Sequence, residues 1–207
     1  DRSVYGLPEI SRDRLRGARL ISGVGCNATA MILALLPLAR EGLIERVIAD
    51  VKVGSSEAGA DATPASHHPE RSGAVRTYSP SGHRHSAEVI QALGDIALDV
   101  TVTAIEMVRG ALCTAHIIPT RRLEQKDLWR LYRAAYADEP FVRLAASKTG
   151  LHRLPDPKIL AGSNHADVGF AIDGASGRVI SLCAIDNLVK GAAGSAVQSM
   201  NLALGLD

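Results

Sequence analysis

The order of apolar and polar positions predicts alternating helices and strands from residue 19 onward. Residues 28–36 are almost continuously apolar and rich in Ala and Leu, which favours a helix that reaches residues 41–42. Pro37 lies inside it and predicts a kink or an early last turn. Residues 43–53 alternate apolar with charged side chains, as a strand with one solvent-facing side does. The same patterns predict helices over 86–93, 123–137 and 186–204, and strands over 19–22, within 99–118, and over 169–172 and 179–185.

Polar stretches separate these elements. Residues 1–18 are charged and read as a connector, and residues 54–64 are too small and polar to form a core. A loop of that length inside a compact domain is usually functional or disordered. The triplet His83-Arg84-His85 precedes a predicted helix with Ser86 as its N-cap and Gly94 at its end.

Composition excludes several classes of protein. Lys plus Arg number 23 against 22 Asp plus Glu, so no global charge attracts nucleic acid or a membrane surface. Only 3% of residues are aromatic, which argues against base-stacking surfaces. Three widely spaced cysteines, at 26, 113 and 183, give no disulfide framework and favour a reducing, cytoplasmic location. We expect neither nucleic acid nor membrane among the partners.

Cys26 is the leading candidate nucleophile. Gly23 and Gly25 leave its surroundings uncrowded, and the apolar run after it places Cys26 at a helix N-terminus. Unpaired N–H groups and the positive end of the helix dipole stabilise an anion there, so we expect a lowered thiol pKa. The alternative is a buried cysteine that acts as a small apolar side chain. Cys113 and Cys183 lie in apolar strands and fit that second description.

A thiolate nucleophile is commonly paired with a histidine, and this chain has seven. His83 and His85 stand out because the Ser86 cap would fix their loop, although a solvated surface pair is the alternative. A zinc site built from Cys26 and the histidine clusters lacks any Cys-x-x-Cys or His-x3-His spacing, so we predict no metal.

Two small-residue segments are candidates for ligand contacts. Asn187 and Lys190 precede a helix rich in glycine and alanine, suited to a polar ligand edge or a phosphate, or else only to close helix packing. The loop 54–59 could cradle an anion with its N–H groups. The sequence contains no Gly-x-Gly-x-x-Gly, Walker or Gly-x-Ser-x-Gly motif.

Taken together, six motifs in this order resemble one enzyme family. They are Gly25-Cys26-Asn27-Ala28-Thr29-Ala30, the loop 54–59, His83-Arg84-His85-Ser86-Ala87-Glu88, Val108-Arg109-Gly110, Gly162-Ser163-Asn164 and Asn187-Leu188-Val189-Lys190-Gly191-Ala192-Ala193-Gly194. The chain is similar over nearly its whole length to the N-acetyl-gamma-glutamyl-phosphate reductases. Asn27-Ala28, Ser56-Glu57 and the segment 67–73 look like the sister branch that acts on 2-aminoadipate 6-phosphate held by an amino-group carrier protein in lysine biosynthesis.

This resemblance implies a fold and an organisation. The fold would be an α+β domain with a mixed, mostly antiparallel sheet and helices on one face. Residues 1–18 would connect from a nucleotide-binding domain, 19–185 would form the catalytic and dimerisation domain, and 186–207 a C-terminal helix. The open sheet face would pair with a second subunit in a homodimer or homotetramer, and a small acidic carrier protein would be the other partner. Without the nucleotide-binding part the chain alone is expected to be inactive.

The resemblance also implies an activity, the NADPH-dependent reduction of an acyl phosphate to a semialdehyde through a thioester on Cys26. His85 would be the acid/base residue, with His83 as the second choice, and the Asn27 N–H would stabilise the oxyanion. Residues expected at the cofactor are Ser55, Ser56, Gly59 and Asn187. Residues expected at the substrate are Asn27, Arg71, His83, Arg84 and Arg109.

Two functions of other classes remain open at this level. A cysteine hydrolase would also use Cys26 and a histidine. A non-catalytic dimerisation or carrier-binding module would use neither. Within the family, the arginine-pathway reductase of N-acetylglutamyl phosphate is the alternative to the lysine branch.

Overall fold

A seven-stranded sheet with helices against one face forms the body of the protein. The computed structural model describes residues 3–61 and 63–206. In chain order the elements are β1 (Val4–Tyr5), α1 (Pro8–Leu15), β2 (Ile21–Ser22), α2 (Cys26–Ala39), β3 (Ile44–Val53), α3 (His68–Arg71), β4 (Val75–Ser79), α4 (His85–Leu93), β5 (Leu98–Ile105), β6 (Ala111–Pro119), α5 (Gln125–Tyr136), β7 (Val142–Leu144), β8 (Ala166–Ile172), β9 (Val179–Ile185) and α6 (Gly194–Leu204). Short 3₁₀ turns cover Ser55–Ala58 and Pro157–Leu160, and a π-helical turn covers Val189–Ala193.

The strand order of the large sheet is β4-β5-β3-β6-β9-β8-β7. The pairs β3/β5 and β7/β8 are parallel, and the other four pairs are antiparallel. The predicted mixed, mostly antiparallel sheet is therefore confirmed. A loop over residues 106–110 separates β5 from β6, and a turn after residue 172 joins β8 to β9 as an antiparallel pair.

Helix α2 is the centre of the core because almost every residue after Cys26 is buried. It packs across β3, β6, β8 and β9, with α4 and α5 on its flanks. Pro37 has no N–H, so the carbonyl of Leu33 loses its helical donor. Tyr136 of α5 fills that vacancy by donating its hydroxyl to the Leu33 oxygen at 2.5 Å. The helix therefore continues through Pro37 to Ala39.

The opposite face of the sheet is only partly covered. Gly169 of β8 points to this face, where an added Cβ would lie 2.4 Å from the Ala145 carbonyl and 2.6 Å from Pro155. The segment 145–165 therefore crosses the sheet at β8. Toward β3 and β6 the face stays open, with Ile48 and Ile118 about half exposed.

Some elements differ from the sequence prediction. The stretch expected to be a plain connector contains α1 and β1, and α1 buries Glu9 and Ser11, so its polar composition hides its buried positions. Helix α4 begins at His85 with Arg84 as N-cap and no side-chain cap bond, so the predicted Ser86 cap is wrong. Strands β4 and β7 were not predicted, because one is exposed along most of its length and the other is only three residues long. No helix among the described residues is long and apolar enough to cross a bilayer.

Candidate active site

Gly25, the residue before Cys26, lies against His85 and Glu88. Cys26 is the first residue of α2, and Gly25 before it is extended, with φ −83° and ψ 134°. A Cβ on Gly25 would lie 2.6 Å from His85 Nε2 and 2.6 Å from Glu88 Oε1, so both side chains rest against the backbone that leads into Cys26. On the other side, a Cβ on Gly191 would lie 2.6 Å from the Cys26 Cβ. Only glycine fits at these two close approaches.

Helix α4 holds His85 in a buried position. Its side chain is 5% exposed, its ring lies edge-on to His83 with centroids 4.7 Å apart, and its Nε2 is 3.8 Å from Glu88 Oε1. Glu88 is fixed in turn by the Tyr5 hydroxyl at 2.9 Å and the Gly25 N–H at 3.0 Å. Burial lowers the pKa of His85 to about 4, against the opposing effect of Glu88. The imidazole is therefore neutral near pH 7 and able to accept a proton.

The thiol of Cys26 is less acidic than the sequence predicts. Burial raises its pKa to about 11, and the Glu57 carboxylate raises it further. The backbone N–H groups of Asn27 and Cys26, together with Arg84, act in the opposite direction but do not prevail. The expected lowering of the thiol pKa is thus wrong for the unliganded chain, because desolvation outweighs the helix terminus. In this state Cys26 carries a neutral thiol and His85 a neutral imidazole.

Glu57 links the cysteine to the loop of residues 54–59. One carboxylate oxygen accepts the Asn27 Nδ2–H at 3.2 Å, and the other accepts the Tyr78 hydroxyl. The Asn27 Oδ1 in turn faces the Cys26 Sγ at 3.7 Å. The carboxylate therefore fixes the side chain that touches the thiol and adds a negative charge close to it.

Substituting Glu57→Gln is expected to make Cys26 more reactive. The amide oxygen still accepts one of the two hydrogen bonds, from Tyr78 or from Asn27, and the negative charge is removed, so the pKa of the thiol falls from about 11 toward its ordinary value. Alkylation by iodoacetamide at pH 8 should accelerate roughly three- to tenfold, on the scale of up to one pKa unit. Because Cys113 and Cys183 are fully buried, the rate reports Cys26. Glu41→Gln, exposed beyond the far end of α2, is the control. An unchanged rate profile in Glu57→Gln would contradict the electrostatic role.

Ser56 and Asn187 meet as the sequence suggested, although they lie far apart in the chain. The Asn187 Nδ2 donates to the Ser56 Oγ at 3.0 Å, and its Oδ1 accepts the Gly110 N–H at 2.6 Å. Ser55 points elsewhere, with its hydroxyl 3.2 Å from His68 Nδ1. Gly59 is exposed, and nothing lies within 4 Å of the position its Cβ would take. Of the four residues expected at the cofactor, the structure joins two directly.

The three candidate arginines occupy different surroundings. Arg71 is 3% exposed and donates to the Val53 carbonyl at 2.8 Å. Arg84 is exposed at the start of α4. Arg109 lies 3.2 Å from the buried Asp186 carboxylate. Arg84 alone of these three contributes to lowering the pKa of Cys26.

Comparison with known proteins gives the family. A family model described as semialdehyde dehydrogenase, dimerisation domain, matches residues 26–187. The chain belongs to that family. A Deinococcus radiodurans relative named LysW-L-2-aminoadipate 6-phosphate reductase is 49% identical over 99% of this chain and 60% of its own length. A Haloarcula marismortui relative, provisionally named LysW-L-2-aminoadipate/LysW-L-glutamate phosphate reductase, is 52% identical over 100% of this chain and 61% of its own length. The chain thus spans about 60% of the length of these curated relatives.

Solved structures of aspartate semialdehyde dehydrogenases have a similar fold. Aspartate semialdehyde dehydrogenase from Francisella tularensis matches 98% of this chain and 71% of its own, with a TM-score of 0.76 at 13% identity. The Vibrio cholerae enzyme described as aspartate semialdehyde dehydrogenase II matches 97% of this chain and 68% of its own, with a TM-score of 0.72 at 16% identity. At such identities the likeness concerns the fold alone.

Sequence reasoning missed several residues around this candidate site. Glu88 and Gly191 lie inside motifs that were singled out, but only the fold shows what they touch. Asp186 is fully buried and accepts N–H groups from Gly162, Leu188 and Val189, which fixes the turn beside Asn187. Tyr78 gave no signal, because it lies on a strand the pattern did not predict. Among residues 3–61 and 63–206 no three His, Cys, Asp or Glu side chains group as metal ligands.

Proposed function

We propose that the chain is the catalytic and dimerisation part of an NADPH-dependent reductase that converts a carrier-bound aminoadipyl or glutamyl phosphate to the semialdehyde. The observation that carries this proposal is the packing of His85 against Gly25, the residue that precedes Cys26. The naming of relatives as LysW-linked aminoadipate phosphate reductases supports the substrate class. The same names favour the carrier-linked substrate of the lysine branch over N-acetylglutamyl phosphate.

The chemistry begins with proton transfer from the Cys26 thiol to His85. The sulfur attacks the acyl carbonyl, a C–S bond forms, the bond from that carbon to the phosphate oxygen breaks, and phosphate leaves. The negative charge that develops on the carbonyl oxygen lies near the Asn27 N–H at the start of α2. The oxyanion of the reduced adduct then re-forms the carbonyl as the C–S bond breaks, which releases the aldehyde, and His85 returns its proton to the sulfur of Cys26. Glu88 lies 3.8 Å from the imidazole and stabilises its protonated form.

The protonation states of the free site require that substrate binding makes the ion pair of Cys26 and His85 more favourable. With the thiol pKa near 11 and the His85 pKa near 4, the ion pair is strongly disfavoured in the unliganded chain. Arg84, which already acts to lower the thiol pKa, is exposed and available to the phosphate group of the substrate. Binding at this position would also bring polar groups close to the sulfur, so the site is expected to become reactive when it is filled.

Asn187 and Ser56 form a polar pair that suits a nicotinamide. Asn187 is 2% exposed, and its amide nitrogen has one hydrogen left after the bond to Ser56. This donor and the neighbouring Ser56 hydroxyl can together bind the primary carboxamide of a nicotinamide. NADPH, when bound, supplies the hydride that reduces the thioester. We propose Asn187 and Ser56 as the contacts of this chain to that ring.

Partners follow from the surface. The open face of β3 and β6, with Ile48 and Ile118 about half exposed, is proposed to pair with a second copy, in keeping with the dimerisation family. A small acidic carrier protein that bears the substrate is proposed to bind near the exposed Arg84.

The test supplies the complete gene product with carrier-linked aminoadipyl phosphate and, in parallel, with N-acetylglutamyl phosphate. NADPH consumption should be at least about tenfold faster with the carrier-linked substrate, a difference of about 1.4 kcal/mol in transition-state binding. Faster turnover of N-acetylglutamyl phosphate would assign the arginine branch instead. Turnover of an ester or amide without NADPH would contradict the reductase and support a cysteine hydrolase.

A further inference from the structure

A small two-stranded sheet places Tyr5 close to the start of α2. Strands β1 and β2 run parallel with Tyr5 opposite Ser22, and the Gly6 N–H donates to the Ser22 carbonyl at 3.0 Å. Strand β2 ends at Ser22, and residues 23–25 lead from it to Cys26. The pairing of the two strands therefore fixes where Tyr5 lies relative to the candidate nucleophile.

The Tyr5 hydroxyl shares one oxygen of Glu88 with the backbone before Cys26. It donates to Glu88 Oε2 at 2.9 Å, and the Gly25 N–H donates to the same oxygen at 3.0 Å. The other oxygen, Oε1, lies 3.8 Å from His85 Nε2. One carboxylate thus contacts β1, the residue before Cys26 and the histidine of α4. The two donors on Oε2 leave Oε1 as the oxygen that faces the imidazole.

Hydrogen bonds, more than packing, hold the Glu88 carboxylate in this position. Its side chain is 28% exposed, so the surrounding atoms do not enclose it. The Gly25 N–H alone would give a single contact about which the carboxylate could turn, and the second donor on the same oxygen restricts that motion. Burial raises the pKa of Tyr5 above its ordinary value, and the Glu88 charge raises it further. The hydroxyl therefore keeps its proton and remains a donor near neutral pH.

We propose that Tyr5 is a positioning residue for the reduction, which acts through Glu88 to keep a negative charge beside His85. The inference rests on the proposed function, in which His85 carries a proton while Cys26 attacks as a thiolate. Glu88 raises the pKa of His85 against the effect of burial, so the stability of the imidazolium depends on where this carboxylate lies. A carboxylate that turns toward solvent stabilises the imidazolium less, and the ion pair that begins the reaction then forms less often.

The kinetic test is a double-mutant cycle in the complete gene product. Tyr5→Phe should lower kcat for the acyl phosphate about fivefold, the scale of one hydrogen bond, with KM nearly unchanged because the hydroxyl binds Glu88 and not the substrate. Glu88→Ala should lower kcat at least about tenfold, and adding Tyr5→Phe to it should cause no further loss. Tyr132→Phe, which removes a fully buried hydroxyl from the core, should leave kcat unchanged. Losses that multiply in the double variant, or a raised KM at constant kcat, would overturn the proposal.

A second measurement needs neither substrate nor NADPH. In the same protein labelled with ¹⁵N-glycine, Tyr5→Phe should accelerate hydrogen exchange at the Gly25 N–H about fivefold, because Glu88 then leaves this group more often. Gly169, buried within β8, should keep its exchange rate. Unchanged exchange at Gly25, or equal acceleration at both glycines, would show that Tyr5 does not position Glu88. Faster exchange at Gly25 alone in a protein that consumes no NADPH would instead refute only the proposed function.

Discussion

Replacing Cys26 with serine in the complete gene product is expected to abolish the NADPH-dependent reduction of the acyl phosphate. The fall in kcat should be at least about a thousandfold, because a hydroxyl is a far weaker nucleophile than a thiol and the covalent route depends on it. The measurement is the loss of NADPH absorbance with carrier-linked aminoadipyl phosphate. Retained activity in Cys26→Ser would remove this residue from the mechanism.

The substitution should leave the fold intact, which makes the loss interpretable. Oxygen is smaller than sulfur, and Gly25 and Gly191 already allow the close contacts around this position. The thermal midpoint and the mass in solution should therefore match those of the parent protein. Unfolding of Cys26→Ser at a much lower temperature would show that the cysteine is needed for packing and that its effect on rate is indirect.

Lys190→Met is expected to destabilise the protein by about 3–5 kcal/mol, the largest stability effect we foresee. The Lys190 Nζ lies 2.5 Å from the Glu9 carboxylate and 3.0 Å from Gln198 Oε1, and the side chains of Lys190 and Glu9 have no exposed surface. Removing the ammonium leaves a buried carboxylate without compensation, which costs far more than the loss of one contact. Urea unfolding followed by circular dichroism measures the difference.

A double variant separates charge from packing. Glu9→Gln combined with Lys190→Met removes both charges, so much of the lost stability should return. Arg16→Gln, which breaks the exposed pair with Asp13, should change stability by less than about 0.5 kcal/mol. A single Lys190→Met change that costs no more than Arg16→Gln would mean that the buried pair contributes nothing to this fold.

The pattern of the sequence was sufficient for the elements that bury a regular face. Helix α2 and strand β3 were predicted because their apolar spacing follows the period of each structure. Helix α1 was missed because its buried positions include Glu9, whose partner Lys190 lies at the other end of the chain. No local pattern can reveal a polar residue whose burial depends on a distant charge.

For the candidate site, too, local motifs indicate some features and only the fold shows the others. Cys26 and His85 were predicted as site residues from local motifs, and in the fold His85 packs against Gly25, the residue before Cys26. The acidity of the thiol was wrongly predicted, since the helix terminus is visible in the sequence whereas burial and the distant Glu57 are not. The missed contacts of Tyr78 and Asp186 likewise depend on how separate segments of the chain meet. Local motifs indicate which residues are candidates for a role, whereas the pKa of each group depends on the burial and charges around it in the fold.

The order of strands in the sheet also constrains how the chain folds during its synthesis. Strand β6 pairs along its length with β9, and Cys113 lies opposite Cys183, although the two residues are far apart in the sequence. During synthesis β3, β5 and β6 can assemble before β9 has left the ribosome, which leaves the apolar β6 edge without its neighbour. Pairing two strands that are far apart in the sequence is slow compared with forming a hairpin. Nascent chains would therefore depend on chaperones for as long as that edge stays unpaired.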